Sequence, residues 1–183
     1  VVGAGRTDTG VHARTMICHI DYIGELDCKQ TRFKLNRILP HDVSCISIEE
    51  VDIKLHARFS ATSRTYRYFI HTKKIPFSRH YSVEISYPLN FEAMNEAAAY
   101  LLNVSDFKAF CKAGADNKTT LCQVTTAKWV KQDDENWYFE ITANRFLRNM
   151  VRAVVGTLID VGRNLLSIDQ FKNVVDHGSR SDY

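Results

Sequence analysis

LCQVTTAKWVKQDDENWYFEITA, residues 121–143, contains two runs of strand-favouring residues separated by an acidic segment. We predict strands over 121–131 and 136–143, joined into a hairpin by the turn Asp133-Asp134-Glu135-Asn136. The acidic side chains are interpreted as the solvated tip of this hairpin. Because the two strands of a hairpin are antiparallel, the sheet that contains them is expected to be mainly antiparallel.

The rest of the chain alternates between strand and helix patterns. We predict further strands over 14–22, 43–52 and 62–71, and helices over 29–39, 91–103, 146–162 and 168–177. Asn90 is a candidate N-cap of the second helix, and Ser167 with Gln170 forms a candidate capping box for the fourth. The alternation lacks strict β-α-β regularity, which favours an α+β fold with helices covering one face of the sheet. A boundary between two halves is expected within 72–90.

Composition limits the class of protein but leaves its function open. The chain has 183 residues, a hydrophobic content of 45% and a net charge of +3, which is compatible with binding nucleic acid but does not select it. No apolar run approaches the roughly 20 residues of a membrane helix, and no signal-peptide pattern is present. Because Val1 lies within an apparent strand, we interpret the sequence as part of a longer chain.

Cysteine and histidine usage argues against disulfides and structural metals. Five cysteines without a C-x-x-C pair predict buried thiols in a reducing compartment. Seven histidines are scattered without the spacing of metal ligands, so no metal site is expected.

The first thirteen residues, VVGAGRTDTGVHA, combine three glycines with Arg6 and Asp8. Glycine permits positive φ and close approach to a ligand, so the loop is a candidate site. A dinucleotide-binding loop is disfavoured because the charge of Asp8 would repel a pyrophosphate and no helix pattern follows. A structural turn in which Asp8 caps backbone amides remains an alternative.

Residues 62–71 form the strand with the clearest candidate binding side chains. Alternation places one set of side chains on one face (Arg64, Tyr66, Tyr68, Ile70) and another set on the opposite face (Thr65, Arg67, Phe69). Aromatic rings between arginines can stack on bases while the guanidinium groups bind phosphates. The alternative is an ordinary half-buried strand.

The helix predicted over 146–162 carries an apolar stripe and a separate basic side. Arg148, Arg152 and Gly156 are four positions apart and therefore share a face. Because glycine within a helix is unfavourable, we expect another element to pack closely at Gly156. An arginine on this face could pair with a carboxylate or simply be exposed. A further short helix with two core aromatics is predicted over 105–112.

These segments resemble, in the same order, the TruA family of tRNA pseudouridine synthases. The loop from Gly5 to Ala13 is similar to the family's catalytic signature, and further blocks follow at 56–61, 64–68, 106–107 and 146–156. Thr9 departs from the alanine that is common in the family, a small change that should leave the turn intact. The resemblance covers essentially the whole chain.

The resemblance implies the pseudouridine synthase fold, an α+β fold with a mainly antiparallel sheet and helices packed on one face. It implies two similar ferredoxin-like halves, 1–72 and 73–183. The family also has a strand and helix before the signature and a closing strand near the C-terminus, which we expect to lie outside this sequence.

The family's residue roles can be carried over to matching positions. Asp8 would be the nucleophile, either adding to the ribose or otherwise promoting detachment of the base. Arg152 would pair with Asp8, and Tyr66 would stack on the extruded uracil and assist the final proton transfer. Arg6 would help to open the target base pair or fill its place. His12 and Arg58 would contact the RNA backbone.

The resemblance also implies partners and location. The substrate would be the anticodon stem-loop of tRNA, and the protein a homodimer in the cytoplasm, away from membranes. No cofactor or metal is implied, because both bonds exchange within one nucleotide. Two other functions remain open: a non-catalytic tRNA-binding protein that uses the same cleft, and an enzyme acting on small nucleosides.

Overall fold

The structure, a computed structural model, describes residues 1–111 and 118–178. The chain divides into two compact units, Val1–Ala61 and Thr62–Tyr183. The division into halves at residues 72 and 73 stays a prediction, because compactness alone does not show which segments fold independently. None of the described helices has the length and apolar character needed to cross a bilayer.

The first unit contains two short strands and one helix among its regular elements. Strand β1 (Val2–Gly3) pairs antiparallel with β2 (Cys18–His19). Helix α1 (Cys28–Ile38) begins at Asp27, whose carboxylate accepts the Gln30 N–H at 2.9 Å. The structure thereby confirms the helix expected over 29–39.

The two strands predicted in this unit are wrong in extent or absent. The strand expected over 14–22 is limited to β2, because its pairing with β1 covers His19 and Cys18 and continues only by one bond from the Ala4 N–H to the Ile17 carbonyl. The segment 43–52 forms no strand. Instead, the Asn36 side chain accepts the Cys45 N–H at 2.7 Å and donates to the Cys45 carbonyl at 2.9 Å. The Asn36 side chain thus forms the backbone hydrogen bonds with Cys45 that a neighbouring strand would form in a sheet.

The second unit is built on a four-stranded sheet in the order β4-β3-β6-β5. The strands are β3 (Arg64–His71), β4 (Val83–Glu84), β5 (Val124–Lys131) and β6 (Asn136–Ala143). β6 pairs antiparallel with both β3 and β5, whereas β4 pairs parallel with β3. This confirms the three strands predicted in this unit and the mainly antiparallel sheet.

The turn between β5 and β6 forms because Asp133 organises it. Its carboxylate accepts the backbone N–H groups of Glu135 at 2.9 Å and of Asn136 at 2.8 Å. These bonds favour the ionised form, so the pKa of Asp133 lies below its ordinary value, with the Glu135 N–H as the largest cause. The predicted hairpin is confirmed.

The second unit contains three helices, two of which begin at the predicted caps. They are α2 (Phe91–Tyr100), α3 (Met150–Gly162) and α4 (Ile168–His177). Asn90 accepts the Ala93 N–H at 3.0 Å, and the capping box of Ser167 and Gln170 is present. A 3₁₀ turn over Leu101–Asn103 continues α2 to the end of the predicted helix.

Helix α3 begins later than the expected residue 146. The Met150 N–H donates to the Leu147 carbonyl at 3.2 Å, which closes a turn before the helix. Asn149, the third residue of that turn, has a φ of 65°, in the left-handed region that asparagine tolerates better than most residues. The turn and the helix cannot share these residues, so the helix starts at Met150.

The core of the second unit lies between the sheet and its helices. Fully buried side chains come from the sheet (Ile70, Phe139, Ile141) and from α2, α3 and α4 (Met94, Val154, Leu158, Phe171). Tyr66 and Tyr68 pack against this core, whereas Arg67 forms an ion pair with Glu140 at 2.8 Å. The predicted alternation along β3 is therefore confirmed.

The short helix predicted over 105–112 is a 3₁₀ turn, Lys108–Phe110. The Asp106 carboxylate accepts the Lys108 N–H at 3.0 Å, and Phe107 and Phe110 are buried as expected. Lys112 lies outside the described residues.

The α+β class is confirmed. Apart from the two-residue β4, which is inserted between β3 and α2, the second unit has the order β3, α2, β5, β6, α3, with β3 beside β6, as in the first five elements of a ferredoxin-like unit. The described part of the first unit has only two-residue strands, so the likeness of the two halves stays a prediction.

The cysteines are reduced, but most are not buried. No disulfide joins the five cysteines, all of which lie in described residues. Only Cys122 is buried, and that burial raises the pKa of its thiol to about 11. The expectation of buried thiols is therefore met at one position and wrong for the exposed Cys18.

The close packing expected at Gly156 occurs at Gly162 instead. A Cβ built on Gly156 would meet nothing within 4 Å, and this residue lies on the exposed side of α3. A Cβ on Gly162 would overlap Sδ of Met94, a fully buried residue of α2. Gly162, at the end of α3, is the glycine that allows the two helices to approach.

The two glycines predict opposite effects on stability. Gly156→Ala is expected to raise the free energy of unfolding by about 1 kcal/mol, because alanine favours a helix interior. Gly162→Ala is expected to lower it by about 1–3 kcal/mol, because the new methyl group overpacks Met94. Urea unfolding of both variants measures this. Equal effects of the two substitutions would contradict the assignment.

Candidate active site

The glycine-rich loop of the first unit is closed at its base by backbone pairing. β1 and β2 flank it, and the Ala4 N–H donates to the Ile17 carbonyl at 2.8 Å, which extends the ladder beyond both strands. Arg6, Asp8 and His12 are exposed on the loop. A short ladder therefore presents three of the predicted site residues to solvent.

Asp8 begins a tight turn within this loop. The Val11 N–H donates to the Asp8 carbonyl at 3.3 Å, and Gly10 has a φ of 81° at the third position. A positive φ at that position is typical of a type II turn and favours glycine. Thr9 occupies the second position, which imposes no such requirement, so its departure from the family pattern is compatible with the turn.

The three glycines do not play the same part. Gly3 lies in β1, where a Cβ would be 3.7 Å from Sγ of Cys18. A Cβ on Gly5 would meet nothing within 4 Å. Of the three, only Gly10 has the positive φ that the sequence pattern suggested.

The loop does not lead into a helix. From its end the chain runs into β2, and α1 begins only at Cys28. A pyrophosphate site requires a helix N-terminus directly after the glycines. The dinucleotide alternative is therefore excluded by the fold as well as by Asp8.

Tyr66 lies near the start of β3, on the face that packs against the helices. Its ring is half-buried and meets Phe146 edge-on, with ring centroids 5.0 Å apart and an interplanar angle of 90°. Edge-to-face pairs of this kind are favourable and directional. Phe146 therefore fixes the orientation of the Tyr66 ring.

Arg152 lies in the first turn of α3, on its exposed side together with Gly156. The connection from β6 to this helix is tied to β3, because Arg64 donates to the Asn144 carbonyl at 3.1 Å. That connection also carries Phe146. The start of β3, the end of β6 and the start of α3 thus lie at one end of the second unit, which holds both Tyr66 and Arg152.

The predicted site residues are distributed over both units. Arg6, Asp8, His12 and Arg58 belong to the first unit, and Tyr66 and Arg152 to the second. Convergence of Asp8, Tyr66 and Arg152 in one cleft stays a prediction.

The described residues offer little for a metal. Within residues 1–111 and 118–178, no three His, Cys, Asp or Glu side chains come together in a way that could hold an ion.

Several supporting residues are not identifiable from the sequence pattern. His19 and His56 bond to backbone N–H groups of the segment that carries Arg58. Asn149 takes the left-handed conformation before α3. An asparagine at a helix boundary is a weak sequence signal for the left-handed conformation. In contrast, no residue near His19 in sequence indicates that His19 bonds to Ala57, 38 positions away.

The relatives found by comparison with known proteins share one description. A profile described as tRNA pseudouridine synthase matches residues 97–183. The chain is 51% identical over 181 residues to tRNA pseudouridine synthase A of Bacteroides fragilis, covering 98% of this chain and 72% of that protein. It is 47% identical to the Bacteroides thetaiotaomicron protein of the same name (98% and 68%) and 38% identical to that of Bacillus subtilis (98% and 73%).

The loop glycines provide a matched pair of variants. Gly10→Ala is expected to destabilise the turn by about 1–2 kcal/mol, because an L-residue is strained at positive φ. Gly5→Ala should leave stability close to that of the parent, since its Cβ has open space. Thermal unfolding, with amide exchange at Val11 as a local probe, measures both. Equal tolerance at the two positions would contradict the turn geometry.

Proposed function

This chain belongs to the family of tRNA pseudouridine synthases, and we propose that it isomerises uridine to pseudouridine in tRNA with Asp8 as the nucleophile. The observation that carries the proposal is the exposed loop between β1 and β2, in which Asp8 follows Arg6 by two positions. A protein that only bound RNA would gain nothing from an exposed carboxylate in its binding loop, because the carboxylate repels phosphates.

The proposed reaction needs no co-reactant. The bond between N1 of uracil and C1′ of ribose breaks, the base turns, and C5 bonds to C1′. C5 then loses its proton and N1 gains one, so the product is an isomer of the substrate. The Asp8 carboxylate either adds to the ribose or promotes departure of the base.

Arg152 is proposed as the cation that accompanies Asp8. A guanidinium favours the ionised form of a neighbouring carboxylate. This compensates for exclusion of water from a pocket, which favours the protonated form. The exposed position of Arg152 on the first turn of α3 supports this role. Arginine suits the pairing because its planar fork can donate two parallel hydrogen bonds to one carboxylate.

Tyr66 is proposed to stack on the extruded uracil and to assist the final proton transfer. Stacking of a base on an aromatic ring is worth about 1–3 kcal/mol. The contact with Phe146 supports this role, because it holds the ring in one orientation before the base arrives. The phenol also supplies a group able to exchange a proton.

The remaining exposed side chains of the first unit are proposed to bind the anticodon stem-loop. The target base must leave its stack, at a cost of a few kcal/mol. Arg6, two positions from Asp8, would help to open the pair or fill the vacated place. His12 and Arg58 would contact the RNA backbone.

We also propose that the protein acts as a cytoplasmic homodimer. The first unit exposes large apolar side chains, as protein–protein interfaces do; Phe33 and Ile38, for example, are 64% and 78% exposed. Light scattering during size-exclusion chromatography should give twice the protomer mass. A monomer at micromolar concentration would contradict this part of the proposal.

Removal of the Asp8 carboxylate tests the enzymatic proposal. Asp8→Asn is expected to reduce tritium release from tRNA carrying 5-³H-uridine by at least about 10³-fold, the scale of losing a nucleophile. Affinity for tRNA should remain close to that of the parent. Asp42→Asn, a change of another exposed aspartate in the same unit, serves as the matched control and should retain activity.

Three results would contradict the proposal in different ways. Full activity of Asp8→Asn would rule out its role as nucleophile. Binding of tRNA without tritium release by the parent would favour a non-catalytic RNA-binding protein. Release from free uridine but not from tRNA would indicate a nucleoside enzyme.

A further inference from the structure

The segment 56–60 is an isolated turn in which backbone donors are unusually well paired. Its ends are joined twice, because the Ser60 N–H donates to the His56 carbonyl at 2.9 Å and the His56 N–H donates to Oγ of Ser60 at 3.0 Å. Nδ1 of His56 accepts the N–H of Arg58 at 3.1 Å and that of Phe59 at 3.2 Å. An exposed turn could bond these groups to water instead.

The remaining donor of the turn, the Ala57 N–H, bonds to a histidine from another element. Nδ1 of His19, in β2, accepts it at 3.0 Å. The rings of His19 and His56 also meet edge to face, with centroids 4.6 Å apart. All five consecutive N–H groups of the turn are therefore paired, three of them with imidazole nitrogens.

The bonds define the acceptor atom of each ring. A backbone N–H can only donate, so Nδ1 of His19 and of His56 each offers a lone pair to the turn. A ring in this tautomer carries its N–H on Nε2.

This pair of histidines joins the turn to the base of the glycine-rich loop. His19 pairs with Val2 across β1 and β2, and the loop that carries Asp8 runs between these strands. His19 and His56 are half-buried, whereas Arg58 is exposed. Arg58 is thus displayed from a turn that is fixed to the same ladder as Asp8.

We infer that His19 and His56 are positioning residues that hold Arg58 at a fixed place relative to the Asp8 loop, so that a tRNA phosphate bound by Arg58 brings the target nucleotide to Asp8. This inference rests on the proposed function. A phosphate-binding group that is already held in place loses less conformational freedom when tRNA binds, so it binds the tRNA more tightly.

A double-mutant cycle tests whether His56 acts through Arg58. Arg58→Ala is expected to raise KM for tRNA roughly tenfold, the scale of one charged hydrogen bond, with kcat unchanged. His56→Ala should raise KM to a similar extent. The double variant should be no worse than Arg58→Ala alone, because the second change removes support from a side chain already absent.

Two further variants separate positioning from general damage. His56→Asn is expected to restore KM, because an asparagine Oδ1 can accept the same nearby N–H groups in an Asx turn. His41→Ala, at an exposed histidine of the same unit, should leave KM unchanged. A merely destabilised protein would show a lower kcat at unchanged KM, and that result for His56→Ala would overturn the inference.

Imidazole ¹⁵N spectra test the geometry without activity. Both His19 and His56 should show an unprotonated Nδ1 and a protonated Nε2 at neutral pH. The opposite tautomer at either residue, or additive KM effects in the cycle, would overturn the inference while leaving the proposed function intact. Absence of tritium release by the parent would instead contradict the proposed function, a separate result from the tautomer measurement.

Discussion

Strand β6 is paired on both sides, with β3 from Arg64 opposite Ala143 to His71 opposite Asn136 and with β5 along its other edge. This double pairing places the start of β3 beside the end of β6. The chain leaving β6 therefore passes Tyr66 before it enters α3, and Phe146 packs on that ring. One ladder thus determines where Tyr66 lies and where the helix bearing Arg152 begins.

The first unit is held together mainly by hydrogen bonds from side chains to the backbone. None of its side chains is buried, and its strands are two residues long, so extended ladders and a core contribute little. Side chains bond to backbone groups instead: Asn36 to Cys45, and His19 and His56 to the turn that carries Arg58. Such bonds define local geometry without requiring a core.

The sequence was informative wherever the signal was local. The hairpin at 121–143 and the caps at Asn90 and Ser167 depend on neighbouring residues, and all three are present. The strand expected over 43–52 failed because a strand needs a partner that its own pattern cannot supply. Gly156 and Gly162 look equivalent in sequence, and only the approach of Met94 distinguishes them. The motifs indicate Asp8, Tyr66 and Arg152 as candidate site residues, which stays a prediction, whereas the bond from the Ala57 N–H to His19 spans 38 positions and has no local signal.

We propose that Asp8, Tyr66 and Arg152 form one site around a uridine. A crystal structure of the protein bound to tRNA tests it most directly. We expect the Asp8 carboxylate to lie within about 4 Å of the Arg152 guanidinium, the range in which an opposite charge favours the ionised carboxylate. We also expect the target uracil to be stacked on Tyr66. An Asp8 separated from both residues by the width of a domain would contradict this proposal.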